Sequence, residues 1–226
     1  MIPIGDTDVR GAHFPIVTVA LIAINVVVFL YQVTLSLPAL ESFYMQYAVV
    51  PTEIMQGDAL YTLLTAMFLH GGWLHLISNM LFLWVFGDNI EAVLGRAMYL
   101  GFYLAGGLFA SAAHILLNPN SSIPSLGASG AIAAVLGAYI LIFPRARVKL
   151  LVFLGVFARV TRVAAVFFLG VWIVIQIFSG IADLGATTAQ TGGTAFWAHI
   201  GGFIFGVIVG LLLRGRASEV ELERSL

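Results

Sequence analysis

The sequence predicts an all-α polytopic membrane protein, a bundle of six transmembrane helices with both termini in the cytoplasm. Three observations carry that prediction. The 226 residues are 61% hydrophobic and 9% charged, where a soluble domain of this size carries about 25% charged residues. Long stretches lack Asp, Glu, Lys and Arg, each long enough to span a bilayer at about 20 residues per crossing. All ten Lys and Arg residues fall into connections on one side of a six-span arrangement. The chain has no cysteine, which excludes disulfides and thiolate metal sites.

The spans follow in order. The first apolar run is preceded by Asp6, Asp8 and Arg10 rather than by a basic n-region, and it is too long for a signal-peptide core. It therefore reads as a retained first helix, held within Gly11–Leu40. Ala59–Gly87 holds the second helix. Ala97–Pro144 is too long for one crossing and is broken by Asn118-Pro119-Asn120 and Pro124 into the third and fourth. Thr161–Ala182 gives the fifth, and Leu184–Leu213 contains the sixth after a Gly/Thr-rich loop.

Charge then sets the orientation. Arg10 precedes the first helix, and Arg96 lies between the second and third. Arg145, Arg147, Lys149, Arg159 and Arg162 lie between the fourth and fifth, and Arg214, Arg216 and Arg224 follow the sixth. The opposite connections carry Glu41, Glu53, Asp58 and Asp183. By the positive-inside rule the basic side is cytoplasmic. A five- or seven-span arrangement would split the basic set.

A polar group inside a span is costly, and marks a functional site by default. Three segments qualify: His70–Asn79 with its two histidines, Gly127-Ala128-Ser129-Gly130, and Ala198-His199. Their depth follows from a rise of about 1.5 Å per residue, counted from the basic end. Ser129 precedes Arg145 by 16 residues, roughly 24 Å. His199 precedes Arg214 by 15, roughly 22 Å. His75 precedes the Asp88/Glu91 pair by 13 to 16, about 20–24 Å. Three helices thus bring polar groups to one level, a little below the outer surface of a hydrocarbon core about 30 Å thick.

Helical phase adds to the coincidence. His199, Gly202, Gly206 and Gly210 share one face of the sixth helix, and Ser129, Ala133 and Gly137 share one face of the fourth. Two small-residue faces can pack closely, which would set Ser129 and His199 side by side at the top of the seam. A hydroxyl becomes a useful nucleophile when an adjacent base takes its proton, and histidine suits that role. Acyl transfer also needs donors aimed at the developing oxyanion. Ser129 sits at a helix start, where backbone N–H groups are unpaired. His75 and Asn79, at i and i+4, project from one face and would add side-chain donors.

These residues resemble the rhomboid protease family. The matching pieces are His75-Leu-Ile-Ser-Asn79, Gly127-Ala-Ser129-Gly, Ala198-His199-Ile-Gly-Gly202 with Gly206, and Gly87–Arg96 with Glu91, Gly95 and Arg96. The similarity covers roughly residues 14–213. It implies a serine endopeptidase that cleaves transmembrane or membrane-adjacent segments with a Ser129–His199 dyad lacking a third carboxylate. It also implies an oxyanion hole formed by His75, Asn79 and the Ser129 backbone, and a substrate gate within roughly Val163–Thr194. On this reading the chain is the minimal six-helix prokaryotic form. It makes one membrane domain over residues 1–226: a short cytoplasmic segment 1–13, a core of about 14–213 and a tail 214–226. The chain departs from many members in lacking a Trp-Arg pair between the first two helices. Position 133 is Ala, where some members carry an aromatic that stacks on the catalytic histidine.

The remaining polar groups carry less. His70 and His114 are expected to make structural hydrogen bonds or sit at the interface, and His13 lies near the cytoplasmic interface. Glu91 with Arg96 is expected to fix the inner loop, and Trp73, Trp84, Trp172 and Trp197 read as ordinary membrane aromatics. There is no His-Glu-x-x-His motif, and no carboxylate lies within a span near the histidines, so no metal or other cofactor is expected. The expected partners are transmembrane protein substrates and the lipid bilayer, not nucleic acid. The expected location is a prokaryotic plasma membrane, with the active site opening toward the extracytoplasmic side. Two alternatives stand beside the protease: a catalytically silent rhomboid-like protein that binds membrane clients, and, more distantly, a small transporter, for which internal repeats are lacking.

Overall fold

The computed structural model describes residues 2–6, 14–154, 157–184 and 195–225, with the side chains of 154, 184 and 214–225 outside the description. Arg10, His13 and the loop 185–194, which carries much of the expected gate, also lie outside the described residues.

The first apolar run forms α1 (Ile16–Gln32). Its N-terminus is capped from another helix: Glu91 Oε1 accepts the Val17 N–H at 3.0 Å, and Oε2 accepts the Thr18 N–H and hydroxyl, both at 2.8 Å. A carboxylate at the positive end of a helix, taking up orphan N–H groups, is a favourable arrangement. Glu91 is therefore committed to α1, rather than to Arg96 and the inner loop as the sequence suggested.

The connection that follows carries three short helices, α2 (Leu37–Tyr47), α3 (Pro51–Met55) and α4 (Thr62–Thr65), and a 3-10 turn at Ala66–Phe68. Next come α5 (Trp73–Leu94) and α6 (Arg96–Leu117), joined through Gly95 at φ +75°, a conformation that favours glycine. Then α7 (Ser129–Ile142) is followed by α8 (Ala165–Leu184) and α9 (Phe196–Ser225). Among the described residues, four helices, α5, α6, α8 and α9, are long and apolar enough to cross a membrane, while α1 and α7 are apolar but shorter. At 14 residues, α7 spans about 21 Å. It ends before Pro144 and begins only at Ser129, because the loop before it descends into the bundle.

Three strands correct the all-α expectation. β1 (Ile2–Asp6), β2 (Arg147–Leu154) and β3 (Phe157–Ala164) form an antiparallel sheet in the order β1-β2-β3. Arg147-Val148-Lys149-Leu150 alternates polar and apolar residues with period two, and β-branched residues continue through β3, which is strand patterning. Val148 and Leu150 are buried against the helices, while Arg147 and Arg162 face outward. The fifth helix therefore starts at Ala165 rather than at Thr161. At the end of β1, Asp6 Oδ2 accepts the Tyr139 hydroxyl at 2.7 Å and the Asn89 amide at 2.9 Å, tying the sheet to α7 and α5.

The core is built around α7, whose residues from Gly130 to Tyr139 are all buried. It packs most intimately on α9, through the small-residue faces. A Cβ added to Gly202 would collide with the Gly130 carbonyl, one on Gly206 with the Ala134 carbonyl, and one on Gly137 with the Phe203 carbonyl. One turn further along, a Cβ on Gly210 would meet Ala138 at 3.1 Å. Backbone thus lies on backbone along the whole seam, the geometry that small residues permit.

Candidate active site

The loop that delivers Ser129 is pinned at three points. Val49 and Ser125 exchange backbone hydrogen bonds at 2.9 and 2.8 Å, Thr52 N–H reaches Ser121 O at 3.1 Å, and Gly127 N–H reaches Ala66 O at 2.8 Å. Gly127 adopts φ +129°, and a side chain there would press on the His75 ring at 2.8 Å. Glycine is required on both counts. Two residues later Ser129 opens α7, where the backbone N–H groups of the first turn lack intrahelical partners.

At the top of the α7–α9 seam, Ser129 Oγ lies 2.7 Å from His199 Nε2. His199 is buried, and its other nitrogen, Nδ1, lies 2.8 Å from Gln176 Oε1 on α8. The Trp172 ring, one turn earlier on α8, sits over the imidazole with centroids 5.7 Å apart and planes inclined by 35°. Ala133 carries no aromatic to face this histidine, and Trp172 does so instead.

His75 lies against Gly127, and Asn79 follows one turn later on α5. His75 Nδ1 accepts the Gly71 N–H at 3.3 Å, which leaves Nε2 as the protonated nitrogen of a neutral ring. That nitrogen is the part of the ring against Gly127, two residues from Ser129. The Asn79 amide nitrogen is 3.0 Å from His70 Nε2. An amide nitrogen has two N–H groups, so one remains for another acceptor. His70 is fully buried and its backbone is clamped: Gln32 Oε1 accepts its N–H at 3.1 Å, while Gln32 Nε2 and the Tyr44 hydroxyl donate to its carbonyl at 2.9 and 3.0 Å.

Behind Ser129 is a cavity of about 30 Å³, large enough for a water molecule, whose lining includes Ser111, His114, Ser125, Gly127 and Ser129. His114 thus lies beside the site. Among the described residues, no group of three or more His, Cys, Asp or Glu side chains is arranged to hold a metal.

Of the residues singled out from sequence, Ser129 and His199 meet directly, His75 lies against Gly127 beside them, and Asn79 is tied to His70, whose ring centroid is 5.0 Å from that of His75. Gln176 and Trp172 were missed. Gln176 gives the same signal as Asn79, an amide in an apolar span, but has no motif around it. Trp172 is indistinguishable in sequence from the other membrane aromatics.

A bundle of apolar helices around a part-buried, hydrogen-bonded Ser–His pair defines a polytopic membrane protein. A model of the Rhomboid domain matches residues 57–216, and the chain belongs to the rhomboid family. It is similar to Rhomboid protein 1, mitochondrial, of Saccharomyces cerevisiae, at 32% identity over 213 residues, covering 92% of this chain and 56% of that protein. RHOMBOID-like protein 12, mitochondrial, of Arabidopsis thaliana is 29% identical over 180 residues, 71% of this chain and 52% of the relative. Rhomboid protease GluP of Bacillus subtilis is 44% identical over 85 residues, 38% of this chain and 16% of the relative. The chain spans about half the length of the two mitochondrial relatives.

Proposed function

We propose that this chain is an intramembrane serine endopeptidase that cleaves transmembrane or membrane-adjacent segments of membrane proteins. The observation that carries the reading is the 2.7 Å contact between Ser129 Oγ and His199 Nε2, between two helices at matched depth in an apolar bundle. Ser129 donates its hydroxyl hydrogen to Nε2 and attacks the scissile carbonyl carbon. The resulting oxyanion is held by the Ser129 backbone N–H and by N–H groups of His75 and Asn79. Protonated His199 then gives its hydrogen to the departing amine as the C–N bond breaks, leaving an acyl-Ser129 ester. Water, deprotonated by His199, hydrolyses that ester and restores the hydroxyl. The cavity beside Ser129 gives that water a place to wait.

The topology belongs to the same proposal. Six helices span the bilayer, with α1 and α7 as the short pair, both termini lie in the cytoplasm, and residues 1–226 act as one membrane domain. The site then opens toward the extracytoplasmic face. The membrane is a prokaryotic plasma membrane, or a mitochondrial membrane if the names of the relatives extend to this chain.

The test is cleavage of single-span model substrates co-reconstituted with the protein in liposomes. Wild type is expected to release fragments, while Ser129→Ala and His199→Ala, with unchanged helical content, release none. Capture of uncut substrate by all three proteins would favour the client-binding reading instead.

A further inference from the structure

Gln176 is a strongly polar side chain in the middle of an apolar helix, and it is buried. Its amide has two engagements of opposite sense. Nε2 donates to the Trp172 carbonyl at 3.3 Å, and Oε1 faces His199 Nδ1 at 2.8 Å. Turned over, the amide would set oxygen against the Trp172 carbonyl and its N–H groups would no longer reach that acceptor. The Trp172 carbonyl therefore decides which end of the amide is oxygen.

The consequence passes through the ring. A neutral imidazole carries one N–H, and the nitrogen facing a carbonyl oxygen must be the one that holds it. With hydrogen on Nδ1, Nε2 presents a lone pair, and that lone pair faces Ser129 Oγ. We propose that Gln176 is a positioning residue for the Ser129–His199 pair, a neutral acceptor that holds His199 in the tautomer able to take the Ser129 hydrogen. The proposal rests on the protease reading and adds a third residue to it.

An amide suits this place better than a carboxylate. Burying an anion among apolar helices, with no described cation in contact, is expensive, whereas an amide needs only its two hydrogen bonds. It still offers the imidazolium formed during reaction an oriented carbonyl dipole. Trp172 and Gln176 are one turn apart on α8, so one helix supplies both the contact to the face of the ring and the acceptor at its edge. Because α8 is the least buried of the four long helices, the orientation of His199 depends on how that helix is seated.

The experiment compares Gln176→Met, Gln176→Glu, Ser129→Ala and wild type, all full-length and in liposomes. It follows cleavage of a single-span substrate and second-order labelling by a fluorophosphonate across pH. Gln176→Met keeps the volume and removes the acceptor; kcat and the labelling rate should each fall about a hundredfold, with KM within about twofold of wild type. Gln176→Glu keeps an acceptor and should retain most of the activity at high pH. Its acid limb should move up by about one pH unit, because a carboxylate beside the ring favours the imidazolium. If Gln176→Met reacts at the wild-type rate, or the Gln176→Glu limb stays in place, Gln176 only packs and the proposal fails. In that failure Ser129→Ala remains inert; were Ser129→Ala itself to cleave, the protease reading would fall, and Gln176 with it.

Discussion

His75 and Asn79 stand one turn apart on one face of α5, and they differ in how much of their hydrogen bonding is already committed. His75 uses Nδ1 on a backbone N–H at a surface-exposed loop, whereas Asn79 is buried and bonded to the buried His70. The two should therefore separate when mutated. Each loss of an oxyanion donor is expected to lower kcat by about 100-fold or more. His75→Ala should leave the unfolding temperature near wild type. Asn79→Ala strands His70 Nε2 without its partner and should also destabilise the fold by about 1–3 kcal/mol. Steady-state cleavage and thermal unfolding in detergent check the pair. At this scale the sequence was legible where a motif surrounded the polar residue. Ser129 and His199 each announce themselves as polar groups in apolar helices, flanked by small residues. Gln176 and Trp172 act on His199 from α8, and their relation to it exists only after α8 and α9 are packed.

Helix-to-helix contact follows a rule readable in the chain: small residues at i, i+4 and i+8 spacing mark where backbones meet. The α7–α9 seam obeys it, and it predicts an ordered set of substitutions. Gly206→Ala and Gly202→Ala drive a methyl into a carbonyl of α7, which only helix separation relieves. They should cost about 1–3 kcal/mol or more and weaken cleavage, since the seam sets the distance from Ser129 to His199. Gly101→Ala on α6, where an added methyl meets nothing within 4 Å, should be neutral or stabilising by about 0.5–1 kcal/mol. Thermal unfolding of the three variants, with cleavage rates alongside, checks the order. The sheet was less legible. Counting the basic residues from Arg145 to Arg162 for orientation concealed the alternation of Val148 and Leu150 with Arg147 and Lys149. Pairing with β1 also brings together segments more than 140 residues apart, which no local pattern announces. Glu91 shows the same limit, since its partners lie on α1.

For the whole molecule, apolar composition and the gathering of all ten Lys and Arg residues into alternate connections lead to the proposed six-span layout, a body whose solvent is mostly lipid. The absence of cysteine makes that layout testable with single introduced thiols. Arg96→Cys and Arg145→Cys should react with an impermeant maleimide from one face of sealed vesicles, and Asp58→Cys from the other. Labelling of Arg145→Cys and Asp58→Cys from the same face would refute the six-span layout. The depth of the site follows from that layout, because α7 starts only where the preceding loop has descended to Ser129. Helix lengths and charge anchors give this depth as an expectation that the thiol labelling tests; the pins at Val49, Thr52 and Ala66 that hold the loop could not be read from them.

The central claim is that His199 activates Ser129 inside the bundle, and the most direct measurement is a fluorophosphonate adduct mapped by mass spectrometry on the purified protein. The account predicts a single phosphonylated residue, Ser129, in wild type, and no adduct in His199→Ala despite an intact Ser129. Modification at another serine, or equal labelling of Ser129 with and without His199, would contradict it.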